Sequence, residues 1–182
     1  MTPPFFPDTT FGWLYYSLLI ACCLAAVVTD LKWQRIPNYL TVPTFALGLL
    51  MNLIRAAWLG NNGEPGRFFG LTGTFGGIVE GFCFALAGFV VAFALFIVLL
   101  ILKKCGAGDV KLIAAIGTWV GPIWFLFVFV GTIIAVIPIL LTWWGYAYTR
   151  KQNPGLKLSY ALPAFISTAL AMLWLWRKTL LI

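Results

Sequence analysis

Residues 11–38 read FGWLYYSLLIACCLAAVVTDLKWQRIPN. No charged side chain occurs from Phe11 through Thr29. Crossing the hydrocarbon core of a bilayer takes about 20 apolar residues in a helix, so this run predicts a membrane span at 11–29. The run closes on Asp30, then meets Lys32 and Arg35, and ends at Ile36-Pro37-Asn38. A proline biases the residue before it away from helical geometry. Ile36 is therefore expected to end the segment, with Asn38 as N-cap of the next helix.

The same alternation of apolar run and short polar break continues along the chain. Further spans are expected at about 39–58, 75–102, 109–122, 123–146 and 158–176. Between them, Leu59–Gly73 is glycine-rich and holds Glu64, Pro65 and Arg67, and Asn153-Pro154-Gly155 is a turn signal. Hydrophobic residues make up 62% of the chain and charged residues only 9%, against about 25% charged in an ordinary soluble domain. No stretch is left over for a separate soluble domain. The expected fold is all-α and integral to the membrane, with about six transmembrane helices in one domain over residues 1–182. The span at 109–122 is short, so it must tilt, thin the bilayer or line a water-filled cavity. Residues 1–10, MTPPFFPDTT, lack the basic stretch of a secretory signal, so the first run is expected to remain as a helix.

Lysine and arginine set an expected orientation. Lys32, Arg35, Lys103, Lys104, Lys111, Arg150, Lys151 and Lys157 fall on one side of a six-span chain; Arg55, Arg67, Arg177 and Lys178 fall on the other. The richer side should be cytoplasmic, which places both termini outside. The five acids then divide: Asp30 and Asp109 lie at the cytoplasmic side, while Asp8, Glu64 and Glu80 lie at or near the outer side. The net charge of +7 is accounted for by this bias and by anionic lipid, so no nucleic-acid partner is expected. Cys22, Cys23, Cys83 and Cys105 form no CxxC pair, which argues against a zinc site or a disulfide framework. No metal or other cofactor is expected.

Two motifs carry candidate chemistry. The first is Asp30 with the following Arg35-Ile36-Pro37-Asn38. Alone, Asp30 reads equally well as a helix-end carboxylate paired with Lys32 or Arg35. The second is Gly106-Ala107-Gly108-Asp109-Val110-Lys111-Leu112. Its glycines permit unusual backbone and close approach of another segment, and Asp109 alone reads as an N-cap. The Walker pattern is absent and a carboxylate beside phosphate would repel it. Together the motifs say more, because two neighbouring carboxylates do not both ionise cheaply, leaving one as acid and one as base. That division suits activation of water and protonation of a leaving amine. The chain has no histidine, which excludes Ser–His, Cys–His and HExxH proteases. A carrier binding cations through the two aspartates is the alternative; carriers place such acids near the midplane between repeats, and no repeat is evident.

The combination of GxGD opening a helix with an upstream Asp and Ile-Pro-Asn resembles the type IV prepilin peptidases, membrane aspartyl proteases of the GxGD group. The likeness runs through Asp30, Arg35–Asn38, Gly106–Leu112, Ala114, Ala115 and Gly117, and more loosely through Ser159–Ala164. It implies a GxGD-protease-like fold and an endopeptidase that removes a short basic leader from pilin-like precursors at the cytoplasmic face of the inner membrane. By that resemblance Asp30 and Asp109 form the catalytic pair, with Gly106, Gly108, Lys111, Pro37 and Asn38 in support. Long members of the family carry a cytoplasmic insert with paired CxxC motifs and a methyl-transferring activity. Here Asn38 runs directly into the next span, so methyl transfer is not expected.

Three features have plainer readings. Trp33, Trp58, Trp119, Trp143, Trp144, Trp174 and Trp176 are expected to anchor helix ends at the interfaces. Gly73, Gly76, Gly77, Gly81 and Gly88 suggest close helix packing. Glu80 lies a few residues inside a span and could be a second functional site, a helix-pairing contact or a near-surface group; a structural role is favoured.

Overall fold

The computed structural model describes residues 5–33, 36–66, 68–102, 105–150 and 165–170. Four helices make up most of this: α1 Thr9–Trp33, α2 Asn38–Asn61, α3 Gly73–Ile101 and α4 Ala107–Arg150. Residues 165–170 are also helical, and no strand occurs among the described residues. Four of the described helices are long and apolar enough to cross a membrane, with α4 counted over Ala107–Ala135. Most of the span expected at 158–176, the turn at 153–155 and the segment Ser159–Ala164 lie outside the described residues.

The first three helices coincide with the expected spans, extended by a few residues at most ends. The spans expected at 109–122 and 123–146 form one helical run with an internal break. At Gly121 the backbone turns to φ 76°, ψ 174°, immediately before Pro122. Pro122 has no N–H for the carbonyl four residues back, and the positive φ at Gly121 has little cost without a Cβ. Space also requires glycine there, since an added Cβ would lie 2.0 Å from the Phe84 ring.

The first half of α4 is the centre of the bundle. Its most apolar stretch is 61% buried, against 28–33% for the other three helices, and every residue from Leu112 through Gly121 is buried. α3 lies along α4 and α2 along α3. α3 and α4 meet glycine on glycine at one crossing. An added Cβ at Gly88 would stand 2.1 Å from the Gly117 carbonyl oxygen, and one at Gly117 would stand 2.4 Å from that of Gly88. The expected glycine packing is thus present at Gly88, at Gly77 and Gly81 against α2, and at Gly73, whose carbonyl oxygen would lie 2.4 Å from a Cβ added at Gly60 of α2.

Two expectations require correction. Trp119 is no interfacial anchor; it is fully buried, with its indole N–H donating to the Thr44 carbonyl at 2.8 Å. Trp33 and Trp58 are about half exposed, as expected of anchors. Asn38 does not cap α2. The N-cap is Pro37, without a side-chain cap hydrogen bond, and Asn38 is the first helical residue.

Glu80 and Arg55 organise one end of the bundle. Glu80 is 4% exposed, and its carboxylate accepts the backbone N–H groups of Phe68 (2.8 Å), Phe69 (2.6 Å) and Leu71 (3.3 Å). It clamps the connection between α2 and α3, which supports the structural reading. Arg55, a cation inside the span expected at 39–58, is buried between the rings of Phe5 and Phe84, 4.2 and 4.5 Å from their centroids, and donates to the Phe5 carbonyl. Arg55 is 17 residues along α2 from Asn38, or about 26 Å at 1.5 Å per residue. The Glu80 end and the Asn38 end are therefore separated by most of a hydrocarbon core about 30 Å thick.

Candidate active site

At the Asn38 end, the link from α1 to α2 meets the start of α4. Asp109 sits in the first turn of α4, 8% exposed, and its Oδ2 accepts the Gly106 N–H at 3.0 Å. It therefore occupies the third helical position and reaches back to the residue before the helix, as the acidic member of a capping box does. It is not the N-cap. Anionic charge in this first turn also suits the helix dipole. Neither Gly106 nor Gly108 has positive φ, so their value is room rather than unusual backbone. An added Cβ at Gly108 would lie 3.3 Å from the Ile36 Cβ and 3.5 Å from the Ile36 backbone.

The two sequence motifs are thereby joined. Ile36 is buried against Gly108, and Lys111 Nζ donates to Asn38 Oδ1 at 2.9 Å. Asp30 lies in the last turn of α1, six residues before Ile36, and is 9% exposed. Both aspartates are thus buried carboxylates at the same end of the bundle. Ala114, Ala115 and Gly117 follow on the buried part of α4.

Cys105 joins this end. Its thiol donates to the Phe96 carbonyl at 3.6 Å. Burial pushes its pKa up, and the negative charge of Asp109 pushes it further in the same direction. A cleft of about 310 Å³ starts beside the Lys111–Asn38 pair and descends between α2, α3 and α4. Below that polar mouth its walls include Val42, Phe45, Phe89, Phe93 and Ala115.

Sequence reasoning passed over a buried polar cluster at mid-bundle, formed by Tyr15, Asn52 and the carbonyls of Thr118 and Trp119. One signal for it was available. Asn52 is an amide inside the apolar run LLMNLI, and such a residue in a span needs partners on neighbouring helices.

Fold and site together define a helical, multi-pass membrane protein with two buried carboxylates, Asp30 and Asp109, at one helix-bundle end. The family model of the type IV leader peptidases matches residues 17–141, which include Asp30, Pro37, Asn38 and Gly106–Lys111, and the chain belongs to that family. It is accordingly a protease of the prepilin leader peptidase kind, acting on protein substrates. No match was found among curated proteins or among solved structures.

Proposed function

We propose that this protein is an aspartyl endopeptidase in which Asp30 and Asp109 together activate water and protonate the leaving amine. Its substrates are pilin-like precursors, and the cut removes their short basic leader at the cytoplasmic face of the inner membrane. The observation that carries this reading is the seating of Ile36 on Gly108 together with the Lys111–Asn38 hydrogen bond. These contacts bring the segment just after Asp30 onto the turn that presents Asp109. One carboxylate as base toward water and the other as acid toward the leaving amine suit general acid–base hydrolysis. The apolar cleft below Asn38 and Lys111 fits the hydrophobic helix that follows the scissile bond of such a precursor. Six spans, with the connections at 30–38, 103–111 and 147–157 cytoplasmic, accord with the lysine and arginine distribution.

The test is leader removal from a co-expressed pilin-like substrate, followed by gel shift alongside enzyme level. Asp30→Asn and Asp109→Asn should each abolish cleavage while the protein accumulates normally. The double variant should be no worse than either single one, since residues acting as one unit are not additive. Robust cleavage by either single variant ends the two-aspartate mechanism.

A further inference from the structure

The break in α4 lies where water cannot repair it. Trp119 is ten residues beyond Asp109, about 15 Å along the helix, close to the middle of the hydrocarbon core. Pro122 offers no N–H to the Thr118 carbonyl, and a backbone group left unpaired at that depth is strongly unfavourable. Other helices supply the missing donors. Asn52 Nδ2 lies 2.9 Å from the Thr118 carbonyl oxygen and 3.4 Å from that of Trp119. It also lies 3.0 Å from the Gly48 carbonyl and 3.0 Å from Tyr15 Oη. Tyr15 Oη donates in turn to the Trp119 carbonyl. Both side chains are fully buried, and Asn52 Oδ1 has no hydrogen-bond partner among the described residues. The amide is therefore held through its N–H₂ side, the side that meets the broken helix.

The rest of the half-helix is fixed by shape. Trp119 fills the space left by Gly48, where an added Cβ would stand 2.6 Å from the indole, and Gly117 lies against Gly88. Packing of this kind limits sideways movement, whereas the hydrogen bonds at the break set axial position and rotation. We propose that Tyr15 and Asn52 are positioning residues for Asp109: by capping the broken helix at mid-membrane they fix residues 107–120 as a rigid body that holds the first turn of α4 against Ile36. This inference rests on the proposed catalytic role of Asp109. It adds that the depth and angle of that carboxylate are set by two side chains on other helices, more than two helical turns from it.

The test separates position from catalysis. Ile36 and Gly108 are both replaced by cysteine in a background lacking the four native cysteines. Their Cβ atoms would be about as close as a disulfide allows, so mild oxidation should cross-link them rapidly in membranes. Tyr15→Phe, which keeps the ring, and Asn52→Leu, which keeps the size, are then added singly and together. Cross-linking is expected to slow at least fivefold in the combined variant. In the cysteine-free background without the new pair, the same changes should lower kcat for leader removal at least tenfold, with KM changed less than twofold. Unchanged cross-linking overturns the inference, whether or not cleavage is lost. Slower cross-linking with undiminished cleavage upholds the positioning and instead removes Asp109 from the reaction. Should Asn52→Leu fail to accumulate, Tyr15→Phe alone carries the same comparison, with a twofold slowing expected and an unchanged rate overturning it.

Discussion

Lys111 Nζ and Asn38 Oδ1, 73 residues apart in the chain, meet at 2.9 Å on the exposed rim of the site. The bond ties the first residue of α2 to the start of the second turn of α4. Asn38 itself is the first residue of α2, one position past the N-cap Pro37, and its side-chain oxygen serves this inter-helix bond instead.

Lys111→Met should weaken this tie without disturbing the bundle. An exposed charge-assisted contact is worth up to about 1 kcal/mol, so leader cleavage should fall by about fivefold at most, with normal protein level. Lys111→Arg should recover most of the loss. Complete inactivity of Lys111→Met, measured as initial rate per unit enzyme, would show a role for Lys111 beyond the tie.

Gly108 should be graded by size. An added methyl meets Ile36 Cβ at 3.3 Å, a contact that a small shift relieves, so Gly108→Ala should retain partial activity. Gly108→Val adds two further carbons and a stiff χ1, and should reduce cleavage by more than tenfold while the protein still inserts. Equal activity of the two variants would show that the approach of Ile36 does not matter to the reaction.

Cys105 reports on Asp109 independently of turnover. Its raised pKa keeps the thiol protonated near neutrality, and only the thiolate reacts with alkylating reagents. Its labelling should rise with pH through a midpoint above that of an ordinary cysteine, about 8.5. Asp109→Asn removes the negative charge, so the midpoint should move down and labelling at pH 8 should speed up. The measurement is maleimide labelling against pH in a variant that keeps Cys105 alone; an unmoved midpoint would mean that the carboxylate does not act on the thiol.

Glu80→Gln should cost stability rather than chemistry. Three backbone N–H groups converge on this carboxylate, and hydrogen bonds to a charged acceptor contribute about 1.5–3 kcal/mol each. The glutamine keeps one acceptor oxygen, so a net loss of about 1–3 kcal/mol is expected. Thermal unfolding in detergent should show a lower Tm, with the rate of leader removal per folded enzyme unchanged. A specific loss of kcat at unchanged Tm would make Glu80 a functional group.

What was legible in the sequence followed from local rules. Apolar length bounded by Asp30, Pro37 and the glycines of 60–73 set α1, α2 and α3 to within a few residues. Gly121-Pro122 marked the break in α4 at the expected junction. The two motifs at Asp30–Asn38 and Gly106–Lys111 pointed to one end of the bundle. The rest depends on contacts between distant segments, which periodicity does not encode. Trp119 looks like any other interfacial tryptophan until Gly48 makes room for it. Arg55 reads as one more outer-side cation until Phe5 and Phe84 enclose it. Asn38 reads as a cap until Pro37 is found in that position and Lys111 on the Asn38 side chain.

The glycine-on-glycine crossing of Gly88 and Gly117 has a consequence for how this chain can vary. Each Cβ would strike the other residue's backbone, at 2.1 and 2.4 Å, and a backbone oxygen is not removed by changing the residue that bears it. Shrinking the opposite side chain cannot suppress a substitution at either position, because there is no side chain to shrink. The two sites therefore cannot exchange volume by paired change, as ordinary core neighbours do. Ala92→Gly, which clears the second obstacle to a Cβ at Gly117, leaves the first in place. Any lineage that loses one of these glycines must move a whole helix to keep α3 and α4 together.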